Sequence, residues 1–298
     1  MGSSTLPEVC SNKHIMNKTA ALKSIVEQAS KGDLVFPTNV NASLKIQQAL
    51  DDPDCGIETA AKLVMTEPLM SARVVAIANS VAYNRFGGGV TNIRTAITIL
   101  GFNTLRSVTA AVVMRQLSAA VSDPAIRAKM EALWRHSAYV AALAHLIARK
   151  VSKVDAETAL FAGIVHEVGG FYLLSRAQEF PALLEIDPSP PPSDALAETD
   201  ETFIGRAVLN KLLVPKRVVS AVEALWYGMR VMPPETLGDT LLLANELAAV
   251  PSPLDPRSPE SIRQSASEID FAVGEGTLTS ILSESAEEVD ALTASLIS

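Results

Sequence analysis

Apolar residues recur through most of this chain three and four positions apart, the interval that gathers them on one face of an α-helix. The segments "NKTAALKSIVEQASKG" and "NASLKIQQALDD" predict short amphipathic helices, the first closed by a glycine and the second by the turn "DDPDCG". "EPLMSARVVAIANS" predicts a helix with Pro68 in its first turn, where a missing N–H costs little. "VAYNRFGGGVTN" breaks the pattern as a loop. "TNIRTAITILGFNTLRSVTAAVVMRQL" then predicts two helices, with Thr91 or Asn92 capping the first, Gly101 stopping it and Asn103 capping the second. A long alanine-rich helix, "DPAIRAKMEALWRHSAYVAALAHLIARK", precedes "DAETALFAGIVHEVGGFYLLSRA". No segment alternates with period two between hairpin turns, so the predicted fold class is all-α.

Proline divides the second half at residues 186–194, 231–235 and 250–259, where fixed φ and missing donors suit connections and not helix interiors. The pattern gives an N-terminal tail over 1–17, a helical body over 18–250 made of subdomains 18–120 and 123–250, and a proline-rich hinge with a C-terminal tail over 251–298. In that tail "TLTSILSESAEEVDALTASLIS" predicts one amphipathic helix with Leu278, Ile281, Leu282, Val289 and Leu292 inward. It either covers its own body or docks on a partner.

Charge sharpens this division. The net charge is −8, and residues 260–298 hold eight acids against one base, leaving the body close to neutral. Such a body offers no electrostatic footprint for a phosphate backbone, which argues against direct nucleic-acid binding. No apolar run is read as approaching the roughly 20 residues that cross a bilayer, and the N-terminus has neither the apolar core nor the basic flank of a signal peptide. The expectation is a cytoplasmic protein without membrane contact. Cys10 and Cys55 are far apart and lack metal-site spacing, so they read as two incidental thiols.

Chemistry centres on histidine. His136 heads a stripe with Val140, Leu143 and Ile147, so its ring points where the core does. His145 is about half a turn out of phase, and His166 shares a stripe with Gly170 and Leu173. Two inward histidines on neighbouring helices can converge on a metal or simply satisfy backbone carbonyls.

"LWRHSAYVAALAHLIA", "AETALFAGIVHEVGGFYLL" and "TLLLANELA" resemble the helical landmarks of the HD superfamily of metal-dependent phosphohydrolases, whose pattern is His, then His-Asp, then Asp. With the preceding glycine loop, "AITILGF" and "EPLMSARVVAIANS", the chain resembles the HDOD (HD-related output domain) family of bacterial signalling proteins over roughly residues 18–250. The resemblance implies an N-terminal helical subdomain packed on a degenerate HD-like bundle, and it places the pattern on His136, His166, Glu167 and Asn245. Glu167 stands for one aspartate and Asn245 for the other, whose loss removes an anionic ligand. Gly170 stands where a substrate lysine is usual. The resemblance therefore implies no enzyme activity, no cofactor, no tightly bound metal, and signalling through protein partners, with a homodimer as one form. The alternatives are a metal-dependent phosphohydrolase acting on a cyclic dinucleotide or nucleotide, and a binding-only pocket for a phosphorylated signal with Arg94, Arg106 and Arg135 as anion contacts.

Overall fold

The structure, a computed structural model, describes residues 17–37, 40–84, 89–185, 198–227, 233–255 and 277–297, with Glu260, Gln264, Ser267 and Glu268 between. Among them there is no strand, as the periodicity predicts. The helices are α1 (Lys18–Ser30), α2 (Val40–Leu50), α3 (Ile57–Met65), α4 (Pro68–Ala78), α5 (Ile93–Ala119), α6 (Pro124–Ile147), α7 (Ala156–Val165), α8 (Val168–Arg176), α9 (Asp200–Lys211), α10 (Lys216–Tyr227), α11 (Leu237–Glu246), α12 (Thr277–Glu284) and α13 (Ala286–Ile297). A π-helical turn, Ala148–Ser152, extends α6, and a 3₁₀ turn, Pro181–Leu184, follows α8.

Several helix starts carry side-chain caps. The side chains of Asn17, Asn92 and Asp155 accept from backbone N–H groups three residues on, and Asp123 caps α6 ahead of Pro124. Pro68 takes the first position of α4. Gly101 breaks the helix as expected. It sits at φ 74° and ψ 171°, a conformation that only glycine adopts freely, and the kink there separates the two helices that make up α5. Asn103 already lies in the following turn, so its side-chain oxygen accepts from Arg106 instead of capping.

At the centre α6 crosses α7 at van der Waals contact of backbones: a Cβ added to Gly163 would stand 2.3 Å from the Ala141 Cα. α5 packs on α2, α3 and α4 on one side and reaches α7 and α8 on the other; α10 and α11 flank α7 and α6; α1 and α9 pair beyond α8. Buried apolar residues form one cluster running from Leu22 to Leu296. The expectation that no apolar run nears membrane-spanning length needs correction. Ile93–Ala119 and Ala156–Arg176 are long and apolar enough, and both are largely covered, with 67% and 72% of their most apolar stretch buried inside the bundle. They read as spans by composition because a helix packed on several sides is apolar all round.

The tail also differs from expectation. It forms two helices broken at Ser285, because "SAEE" is itself a helix-start signal, Ser followed three residues later by Glu. The break lets Leu278 and the stripe Val289, Leu292 and Leu296 face the body together, while Ile281 and Leu282 are half-buried. α13 lies across α4 and α6. Cys55 is a free, half-buried thiol; Cys10 and His14 lie outside the described residues, as do residues 186–194, 231–232 and 256–259 of the proline stretches.

Candidate functional site

His136 projects from the middle of α6, and both it and His166, at the end of α7, are buried. Each ring is fixed through its Nδ1–H. His136 donates to the Val250 carbonyl at 2.7 Å, and His166 donates to the Gly163 carbonyl, one turn back, also at 2.7 Å. The Gly163 that permits the tight crossing thus also orients His166. With an Nδ1–H donating on each side, a ring in its neutral form directs an Nε2 lone pair inward, and the two Nε2 atoms are 3.4 Å apart. The Asn245 amide of α11 faces His136 Nε2 at 3.1 Å. Toward a neutral ring it must present its NH₂; toward a cation it presents its oxygen.

Glu167 completes the group, with a carboxylate oxygen and both imidazole nitrogens mutually within 4.8 Å. Ser252 donates to its Oε1 at 3.1 Å. Burial pushes the Glu167 carboxyl above its usual range, against the opposing pull of His136 and Ser252. Burial, with the neighbouring His136, pushes His166 down to about 3, although the Gly163 carbonyl and Asn245 work the other way.

These donors fit one divalent ion. Metal–nitrogen bonds of about 2.1 Å in a tetrahedron set their nitrogens about 3.4 Å apart, which is the separation found, and the carbonyl-anchored Nδ1 atoms are the usual outer support of ligating histidines. They do not fit two ions, because a bridged pair needs anionic oxygens on both sides and the amide of Asn245 is neutral.

The depressed His166 value has a consequence for stability in metal-free protein. Unfolded, the ring takes a proton near pH 6.5; folded, it stays neutral until about pH 3, so its contribution to stability is present above 6.5 and is lost as pH falls. With chelator present, the free energy of unfolding is expected to drop by up to about 2 kcal/mol between pH 6.5 and 5 from this ring. Urea titrations of wild type and His166→Gln across that range check it, and equal slopes would refute it.

The proline-rich segment after α11 closes over this group. Val250, Ser252 and Leu254 contact His136, Glu167 and Gly170 in turn; a Cβ on Gly170 would lie 2.4 Å from Leu254 Cδ1. The three arginines do not join it. Arg94 pairs with Glu58 of α3, Arg106 with Asp51 and the Leu50 carbonyl at the end of α2, and Arg135 with Glu131 of its own helix.

His145, the out-of-phase histidine, belongs to a second, partly buried cluster that the sequence does not reveal. Its Nε2 lies 3.2 Å from Glu157 Oε1, while Glu157 Oε2 accepts from Tyr83 at 2.6 Å and from Thr104. Glu157 stands in the first turn of α7, where an acidic residue ordinarily just complements the helix dipole. Nothing in its spacing separates it from a solvated one.

The described residues form a helical bundle built round an inward histidine pair, with Glu167 and Asn245 beside it. The HDOD domain profile matches residues 36–226, nearly two thirds of the chain, and the protein belongs to the HDOD family. A crystal structure of a candidate metal-dependent phosphohydrolase from Shewanella amazonensis SB2B is 22% identical, with a TM-score of 0.69 over 93% of this chain and 98% of that one. An HDOD domain protein of unknown function from Geobacter sulfurreducens gives 20% and 0.57 over 93% and 98%. A candidate signal transduction protein from Marinobacter aquaeolei VT8 gives 16% and 0.56 over 95% and 67%. At these identities the likeness is one of fold. No curated protein matches.

Proposed function

We propose that this chain is a regulatory module of bacterial signalling that works in the cytoplasm through protein contacts and does not hydrolyse phosphodiesters. One observation carries the reading: Leu254 fills the space beside Gly170, the position where the resemblance to HD phosphohydrolases implies a substrate lysine. Phosphoryl transfer requires cations against the equatorial and leaving oxygens. Here the groups over the site are a carbonyl, a hydroxyl and a leucine side chain, while Arg94 and Arg106 pair with acids of other elements and Arg135 with Glu131 of its own helix. The same engagements weigh against a pocket for a phosphorylated signal built on those arginines. The signalling designation of one structural relative is in keeping with a regulatory role.

The test is hydrolysis of a generic phosphodiester and of cyclic dinucleotides, with manganese, iron or zinc supplied. No turnover above the metal-only blank is expected from wild type. Metal-dependent turnover that disappears in His136→Ala would sink the reading. In Glu167→Asp combined with Asn245→Asp, which returns both anionic ligands, metal affinity is expected to rise by at least about tenfold, roughly 1.4 kcal/mol; isothermal titration measures it.

A further inference from the structure

The last helix is held in a way that a plain hydrophobic cap does not require. Arg73 of α4 is only 3% exposed, and its guanidinium donates to the carbonyls of Ser295, Leu296 and Ile297, at 3.3 and 3.2 Å for the first and last. Those carbonyls form the final turn of α13, where a helix presents its negative end and its unpaired acceptors. At the opposite end Glu288, in the first turn, takes both Nη atoms of Arg149 at 2.6 and 3.3 Å. Between the two cations, Val289, Leu292 and Leu296 lie buried in an i, i+3, i+7 row against α4 and α6. The body face therefore reads three features at once: an acidic first turn, an apolar stripe, and an open terminal turn. The helix that satisfies them belongs to a segment, 260–298, that carries nearly all the net charge of the chain.

We infer that the α4–α6 face is a helix-docking groove, occupied in cis by α13, and that it receives in trans an acidic amphipathic helix of the same pattern from a signalling partner. The inference deepens the reading of the protein as a contact-making module and rests on it. Charge complementarity selects the partner: Arg73 and Arg149 bracket the groove, and burial disfavours the Arg73 charge, with Arg115 adding to the effect, unless acceptors meet it. When α13 lifts, water takes the place of its carbonyls, so a helix that buries Arg73 again must end its last turn at the same place to meet the guanidinium. Cis occupation lowers the apparent affinity for any partner by the fraction of time the groove is open, which makes tail release the control step.

The experiment uses the full-length chain and a fluorescein-labelled peptide of residues 277–297. Leu292→Asp with Leu296→Asp disables the cis helix. The peptide is expected to bind this variant at least about tenfold more tightly than wild type. Adding Arg73→Met to the variant, or Leu292→Asp to the peptide, is expected to reverse the gain. A folded variant that shows no gain, or a gain indifferent to Arg73, overturns the inference. So does a concentration-dependent wild-type dimer that the same variants abolish, since the groove would then serve exchange between copies. Should the variant fail to fold, hydrogen exchange on wild type decides: amides of α13 are expected to exchange at least about a hundredfold faster than those of α6, and equal protection overturns the inference. Phosphodiester turnover would defeat the proposed function while leaving the peptide result untouched, so the two failures are separable.

Discussion

Replacing Gly163 by alanine is expected to cost about 3 kcal/mol or more, enough to leave little folded protein at 37 °C. The added methyl would lie 2.3 Å from the Ala141 Cα and 2.7 Å from its backbone nitrogen. Neither atom can turn aside, so α6 and α7 must separate along their shared length, opening the buried cluster round Val140, Leu143 and Ile164. The same shift moves the Gly163 carbonyl that holds His166. Gly170→Ala is the control. Its methyl meets Leu254 Cδ1 at 2.4 Å, but that atom ends a flexible, partly exposed side chain, and a cost under about 1 kcal/mol is expected. Urea midpoints of the two variants measure the contrast, and similar midpoints would show that the α6–α7 crossing is looser than described.

Glu157→Ala is expected to be nearly as damaging, at about 3 kcal/mol, because it strands three groups at once: the Tyr83 hydroxyl, the Thr104 hydroxyl and His145 Nε2. They come from the segment after α4, from α5 and from α6, so a carboxylate on α7 ties four parts of the chain together. Burial works to raise the Glu157 pKa, yet the hydrogen bonds from His145, Thr104 and Tyr83 outweigh it and hold the carboxyl below its ordinary range. The sign follows. The stabilisation is complete above the ordinary carboxylate value near 4.5 and fades as pH falls through the lower folded value. The gap between wild type and variant should therefore be widest near neutrality and narrow below pH 4. Chemical unfolding at pH 7 and pH 3.5 measures it; a gap constant with pH would mean that Glu157 acts by packing and not by charge.

How much of this was legible beforehand depends on range. Helix starts are local, so Asn92 and Pro68 announce themselves. The inward aim of His136 and His166 is equally local, being a matter of phase along one helix. What the sequence concealed is long-range. Val250, Ser252 and Leu254 sit in a stretch that proline marks as a connection, yet they form the cover of the site, because nonhelical backbone has free carbonyls and hydroxyls to offer buried imidazoles. Glu157 was invisible because its three partners lie 12, 53 and 74 positions away. The break at Ser285 is masked in the sequence because the apolar stripe continues through it.

The two imidazoles are anchored differently, and that makes them separate reporters. His166 is tied to a carbonyl of its own helix, whereas His136 is tied to Val250, 114 residues along the chain. Lifting the segment that leads toward the tail frees His136 Nδ1 and leaves His166 Nδ1 bound. In a nitrogen-detected NMR spectrum of nitrogen-15-enriched protein the first ring would then shift alone, giving a readout of the tether between the histidine site and the C-terminal helices without an attached probe.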